Sequence, residues 1–98
     1  MATRTLSTAA EELLPRSRTR KSWIIQNEDT TDAIFLKFER AATPTVSSTD
    51  HDHRLGPGAS LALNRLTDGS EQIEERVTAI AAANTPRVSF FQTEDIIR

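Results

Sequence analysis

The two histidines of this chain stand one residue apart, in Thr49-Asp50-His51-Asp52-His53-Arg54. His-x-His is a real spacing for metal ligands, because alternate side chains of an extended segment project to one side, where two imidazoles can share a divalent ion. A stable site also needs a third or fourth ligand held by structure. Here the histidines lie in a polar passage between Thr45-Val46-Ser47-Ser48-Thr49 and Arg54-Leu55-Gly56-Pro57-Gly58, which reads as a solvated loop tip. No metal and no cofactor is assigned.

The carboxylates gather at Glu28, Asp29 and Asp32, at Asp68, Glu71, Glu74 and Glu75, and at Glu94 and Asp95. A glycosidase needs two carboxyls across a cleft, and a calcium loop needs oxygen ligands at fixed offsets around a glycine. Neither Asp29-Thr30-Thr31-Asp32 nor Asp68-Gly69-Ser70-Glu71 follows those patterns, so these groups read as solvated turns. Serines and threonines abound, but no G-x-S-x-G elbow presents one as a nucleophile, and no glycine-rich phosphate loop occurs. With no cysteine in the chain, thiolate catalysis, disulfides and cysteine-held metals are excluded. The expectation is a protein that is not an enzyme.

Ninety-eight residues with a formal charge of -2 make one small domain with little core to spare for a private cavity. An acidic balance argues against nucleic acid as a partner, since phosphate binding needs a surplus of Lys and Arg on one face. The one dense basic run is Arg16-Ser17-Arg18-Thr19-Arg20-Lys21, four positive charges in six residues. Without stacking aromatics nearby, it suits a contact with an acidic neighbour or a solvated linker. No apolar run approaches a membrane span and the first residues lack an apolar signal core, so no membrane is expected.

Hydropathy patterning then supplies the elements. Residues 1–20 read as an N-terminal arm with Leu6, Leu13 and Leu14 as its large apolar anchors. A short helix with Thr8 and Glu11 in capping-box spacing and an extended strand are both allowed there. Lys21 to Asn27 and Ala33 to Phe38 alternate with the period of a pleated strand, and Asn27-Glu28-Asp29-Thr30-Thr31-Asp32 supplies turn formers between them, which predicts a β-hairpin. Gly56-Pro57-Gly58 marks a tight turn before a short strand through Leu61 and Leu63. The segment from Asp68 to Asn84 fits a helix with Ile73, Val77 and Ile80 at helical spacing. It fits equally a strand from Arg76 to Ala82, and the favoured reading pairs that strand as a hairpin with Val88 to Glu94. The sum is an all-β domain over residues 21–98, a small antiparallel sandwich or barrel of six to seven strands carrying an extended N-terminal arm. Trp23 belongs to its core. Of the adjacent Phe90 and Phe91, one must point away from the core, and this outward ring is the best mark of an interface.

Taken together, Leu13-Leu14-Pro15 through Arg20-Lys21-Ser22-Trp23-Ile24-Ile25-Gln26-Asn27, then Leu55-Gly56-Pro57-Gly58, then Val77-Thr78-Ala79-Ile80-Ala81 and Val88-Ser89-Phe90-Phe91 resemble a pattern of small virion structural proteins of tailed bacteriophages. The likeness spans Leu13 to Asp95. It implies a β-sandwich module on the capsid surface, a decoration or cement protein that binds the major capsid protein and neighbouring copies of itself as a homo-oligomer on the virion. A head-tail component and a carbohydrate-binding module using Trp23 or Phe91 are the alternatives. By the resemblance, Gln26 and Asn27 close the first hairpin, Pro57 and Gly58 form a turn before a buried strand, and Ala79 to Ala81 occupy a central strand. The residues expected to meet a partner are Leu13, Leu14, Arg16, Arg18, Arg20, Lys21 and Phe91. The chain departs from the pattern in its long acidic segment Thr67-Asp68-Gly69-Ser70-Glu71-Gln72-Ile73-Glu74-Glu75 and in the histidines before Leu55.

Overall fold

The computed structural model describes residues 2–64 and 73–94. Eight strands are present: β1 Ala2–Thr5, β2 Glu11–Leu14, β3 Arg20–Asn27, β4 Ile34–Phe38, β5 His53–Leu55, β6 Ser60–Asn64, β7 Val77–Ala81 and β8 Arg87–Glu94. They form two four-stranded antiparallel sheets. The first, sheet A, runs β1-β8-β3-β6, and the second, sheet B, runs β2-β7-β4-β5. This is the strand order of a jelly roll, with the chain changing layer at every connection except that from β4 to β5.

The inward residues of both layers share one core. Trp23 and Ile25 of β3, Leu63 of β6 and Val88 of β8 meet Ile34 and Leu36 of β4 and Val77, Ala79 and Ala81 of β7, with Leu6, Leu13, Leu14, Leu55 and Ile73 filling the ends. Burial alternates along β3 from Trp23 to Asn27, whereas β7, interior in its sheet, is buried on both faces at Val77, Thr78 and Ala79; the inward faces of the two sheets close on each other and leave water.

Both expected hairpins are absent as hairpins. The strands at 20–27 and 34–38 exist, but β3 pairs with β6 and β8, whereas β4 pairs with β5 and β7. The 28–33 segment is therefore a corner between layers. The same holds for β7 and β8, which lie in different sheets with 82–86 turning between them. Turn-forming side chains serve a corner as well as a hairpin: Asp29 Oδ2 accepts from Thr31 N at 3.1 Å and from Asp32 N at 2.6 Å, bonds internal to the segment that say nothing about the next strand's layer.

Three further expectations are corrected or refined. Among the described residues there are eight strands rather than six to seven, and residues 2–14 supply two of them, with Leu6, Leu13 and Leu14 buried. Those two strands pair with β8 and β7, one in each sheet. The Val77–Ala81 segment is a strand, interior in its sheet, while the helical alternative for 68–72 lies outside the described residues. The Gly56-Pro57-Gly58 turn forms as its composition predicts: Ala59 N donates to Gly56 O at 3.0 Å, with Gly58 at φ 76° in the position of a type II turn that requires positive φ.

Two buried polar side chains stand at opposite ends of β3 and tie the layers together. At its start, Arg20 is 0% exposed. Its Nε donates to Gln92 Oε1 at 2.8 Å in sheet A, and its Nη1 to Ile73 O at 3.1 Å and Glu75 O at 3.0 Å, just before β7 of sheet B. Its Nη2 reaches Pro15 O, just after β2. At the far end, Asn27 is also 0% exposed. Its Nδ2 donates to Asp32 O at 2.8 Å and to Leu55 O and Gly56 O, each at 3.2 Å, and its Oδ1 accepts from Asp29 N at 3.1 Å.

A bulge makes the first clamp. On β3, Arg20 pairs with Glu94 and Ser22 with Thr93, so Lys21 is an extra residue against β8. The extra residue shifts the phase, so that Arg20 turns inward with Trp23, Ile25 and Asn27.

Losing either clamp leaves buried carbonyls without donors, at about 1–3 kcal/mol for such a group. Asn27→Ala and Arg20→Met are each expected to lower unfolding free energy in urea by about 2–3 kcal/mol, while Lys21→Ala changes it by less than about 0.5 kcal/mol. Equal and small effects for all three would contradict the clamp reading.

Candidate functional site

The two sheets differ in what covers their outer faces. On sheet B the outward residues are Phe35 and Lys37 of β4, Arg54 of β5 and Thr78 and Ile80 of β7, by alternation from the inward Leu36 and Val77. The 39–52 connection folds back over this face. Its Glu39 carboxylate is buried and accepts from Thr45 N at 3.1 Å, from Thr45 Oγ1 at 2.7 Å and from Thr78 Oγ1. Farther along, Asp50 meets Lys37 Nζ at 2.7 Å, Asp52 Oδ2 accepts from Phe38 N at 2.8 Å, and the His51 ring lies 4.5 Å from that of Phe35, centroid to centroid. Val46 is buried as well. The connection thus acts as a fixed strap, fastened by charge-assisted bonds at both ends.

Two charges at the strap, Glu39 and its neighbour Lys37, are shifted toward their ionised forms. Burial alone would push the Glu39 carboxyl up, but hydrogen bonds from Thr78 and Thr45, with help from Lys37, hold it below the usual carboxylate value. The hydrogen bond to Asp50 raises Lys37. At the β3–β4 corner, the backbone N–H groups of Asp32 and Thr31 lower Asp29.

These contacts also decide the histidine reading. His51 rests on the outward Phe35, whereas His53, in β5, has its ring 5.5 Å from the inward Phe38, which in turn meets Trp23 edge-on at 5.9 Å. The two imidazoles are therefore on opposite faces, and the side-by-side geometry expected of an extended His-x-His is not formed. His51 Nδ1 is occupied with Ser47 O at 3.1 Å. Among the described residues no group of three or more His, Asp or Glu side chains is gathered to hold a metal ion.

On sheet A nothing described folds over the outer face. Gln26, Ile24 and Ser22 of β3 run along it beside Ser89, Phe91 and Thr93 of β8, with Ile24 directly opposite Phe91 and Ser22 Oγ 2.6 Å from Thr93 Oγ1. On the other flank, β6 contributes Ser60, Ala62 and Asn64 in register with Gln26, Ile24 and Ser22. Phe91 is 51% exposed, the large apolar side chain left most open among the described residues, while Phe90 packs against the core. Beside the Phe91 ring is a shallow depression of about 270 Å³ lined by Ser22, Ile24, Ala62 and Asn64. The centre of this face carries no charge. Arg87, toward its end, is offset by Glu28 at 3.5 Å.

Of the residues expected to meet a partner, the structure leaves Arg16, Arg18, Lys21 and Phe91 at the surface. Leu13 and Leu14 are core residues, and Arg20 is the buried clamp, so none of these three is presented outward. The basic run thereby loses one of its charges from the surface, because the bulge turns Arg20 in and Lys21 out. Trp23 is buried, so it offers no stacking platform. Glu39 escaped the sequence reading; its only sequence signal is a charged residue ending the alternating run of β4. No helix among the described residues is long and apolar enough to cross a membrane.

No known family matches the chain, and neither a curated protein nor a solved structure matches it.

The depressed Glu39 carboxyl makes stability depend on pH with a defined sign. A folded pKa below the ordinary 4.5 adds stability that is fully present above that value and is lost as pH falls through the folded value. The urea midpoint is expected to drop as pH falls below about 4.5. In Glu39→Gln the midpoint is lower at neutral pH and the acid-induced drop is smaller. Parallel pH profiles for the two proteins would contradict the assignment.

Proposed function

We propose that this protein is a non-catalytic structural component of a tailed-phage virion, a capsid decoration or cement protein that binds the major capsid protein shell. The observation that carries the reading is the contrast between its two outer faces. One is strapped by the chain's own 39–52 segment, and the other is a sheet face left open among the described residues, uncharged at its centre, with Phe91 there. Flat faces poor in charge and centred on an aromatic ring suit contact with another protein.

The sequence resemblance supplies the virion context, and the jelly-roll strand order agrees with it, since viral shell proteins use that architecture. Architecture by itself does not carry function, and lectins use the same order. A carbohydrate-binding role is the second reading, favoured by the exposed Phe91 ring beside the hydroxyl of Ser22 and the amide of Asn64. A head-tail component would have the same fold and differ in number. Shell binding gains by repetition, because many modest contacts on a symmetric lattice add up.

Quantitative mass spectrometry of purified particles of the phage encoding the chain tests the proposal. The expected result is a copy number in fixed proportion to the major capsid protein. A handful of copies per particle would favour the head-tail role, and absence from the particle would overturn the virion reading.

A further inference from the structure

We propose that the outer face of sheet A is a self-association surface on which two copies of this chain pack face to face, each Phe91 ring seated in the other's depression beside Ala62. The inference deepens the structural reading above by naming the surface between copies, and it rests on that reading for its purpose only.

Three observations select a second copy as the occupant. A two-fold interface must be complementary to itself, which requires the projecting group and the hollow that receives it to lie on one face. Here the half-exposed Phe91 and the depression of about 270 Å³ lined by Ser22, Ile24, Ala62 and Asn64 are neighbours on the same sheet face. The second observation is charge. A face bearing a net charge repels its own image, whereas the centre of this one, the row Phe91, Ile24 and Ala62, is neutral, and its Arg87 is offset by Glu28. A partner chosen by charge has nothing here to read, while an identical neutral face meets no penalty.

The third is area. With strands spaced at about 4.8 Å and β1, β8, β3 and β6 contributing four, eight, eight and five residues at about 3.3 Å each, the face measures roughly 400 Å² per copy and roughly 800 Å² for the pair. That is below the roughly 1,000 Å² of a stable specific interface and in the range of transient contacts. The pair is therefore weak in solution and depends on concentration. Ser22, Thr93, Gln26 and Asn64 around the ring provide the polar rim that such contacts need.

Sedimentation velocity of the purified full chain over about a hundredfold range of concentration tests the proposal. The wild-type weight-average mass is expected to climb from monomer toward dimer. Phe91→Ser removes the projecting ring and Ala62→Phe fills the hollow. Both change outward side chains on the sheet surface, and an unchanged circular dichroism spectrum verifies that they fold. Each is expected to weaken association at least about tenfold. A wild type that stays monomeric throughout overturns the proposal. Association that survives either substitution overturns it as well, because pairing edge to edge through β1 or β6 would be indifferent to both. A monomeric wild type leaves the particle copy number untouched, so the two readings fail separately.

Discussion

The arrangement of this molecule depends on β3 being fixed to the opposite layer at both ends by buried hydrogen bonds. Apolar contact between two pleated faces is not directional: Trp23, Ile25 and Val88 would accept many slightly shifted positions of β4 and β7 at similar cost. Hydrogen bonds from a buried side chain have fixed geometry, and leaving them unmade inside the protein costs more than making them gains. Arg20 joins the ends of β2 and β7 to β8, and Asn27 joins the β3–β4 corner to the β5–β6 turn. Between these points the core can pack in one register.

That constraint also sets what the surface can do. With both ends of β3 occupied in holding the layers, its middle is free to present Ile24 outward beside Phe91. The opposite layer has its outer face closed by the strap, through Glu39, Asp50 and Asp52. Among the described residues, Asp29 is engaged in the β3–β4 corner and Glu39, Asp50 and Asp52 in the strap, while Trp23 is in the core and Phe91 is exposed.

Much of the local structure was legible in the sequence. Alternation identified β3, β4, β6, β7 and β8, the Gly-Pro-Gly turn was apparent from composition, and the adjacency of Phe90 and Phe91 required one outward ring. Pairing was not legible. Asn27 to Asp32 makes the same internal bonds whether the next strand returns beside β3 or crosses to the other layer, and the choice is made by residues distant in sequence, such as Leu55 and Ala59 meeting Asn27. Arg20 was misread for a related reason. Its place in a basic run pointed outward, and only the bulge against β8 reverses it. Leu13 and Leu14, anchors of an expected arm, became core because Glu11–Leu14 found β7 as a partner.

The central claim, that β3 and β4 lie in different layers locked at the ends of β3, is tested most directly by interproton contacts in solution. Nuclear Overhauser spectra of isotopically labelled protein should connect the backbones of Ile24 and Phe91, and of Trp23 and Leu63, the pairs set by the registers of β8 and β6 on β3. The account predicts these cross-strand contacts, with none between the backbones of β3 and β4. A ladder of backbone contacts from Lys21–Asn27 to Ile34–Phe38 would mean a simple hairpin, and would contradict it.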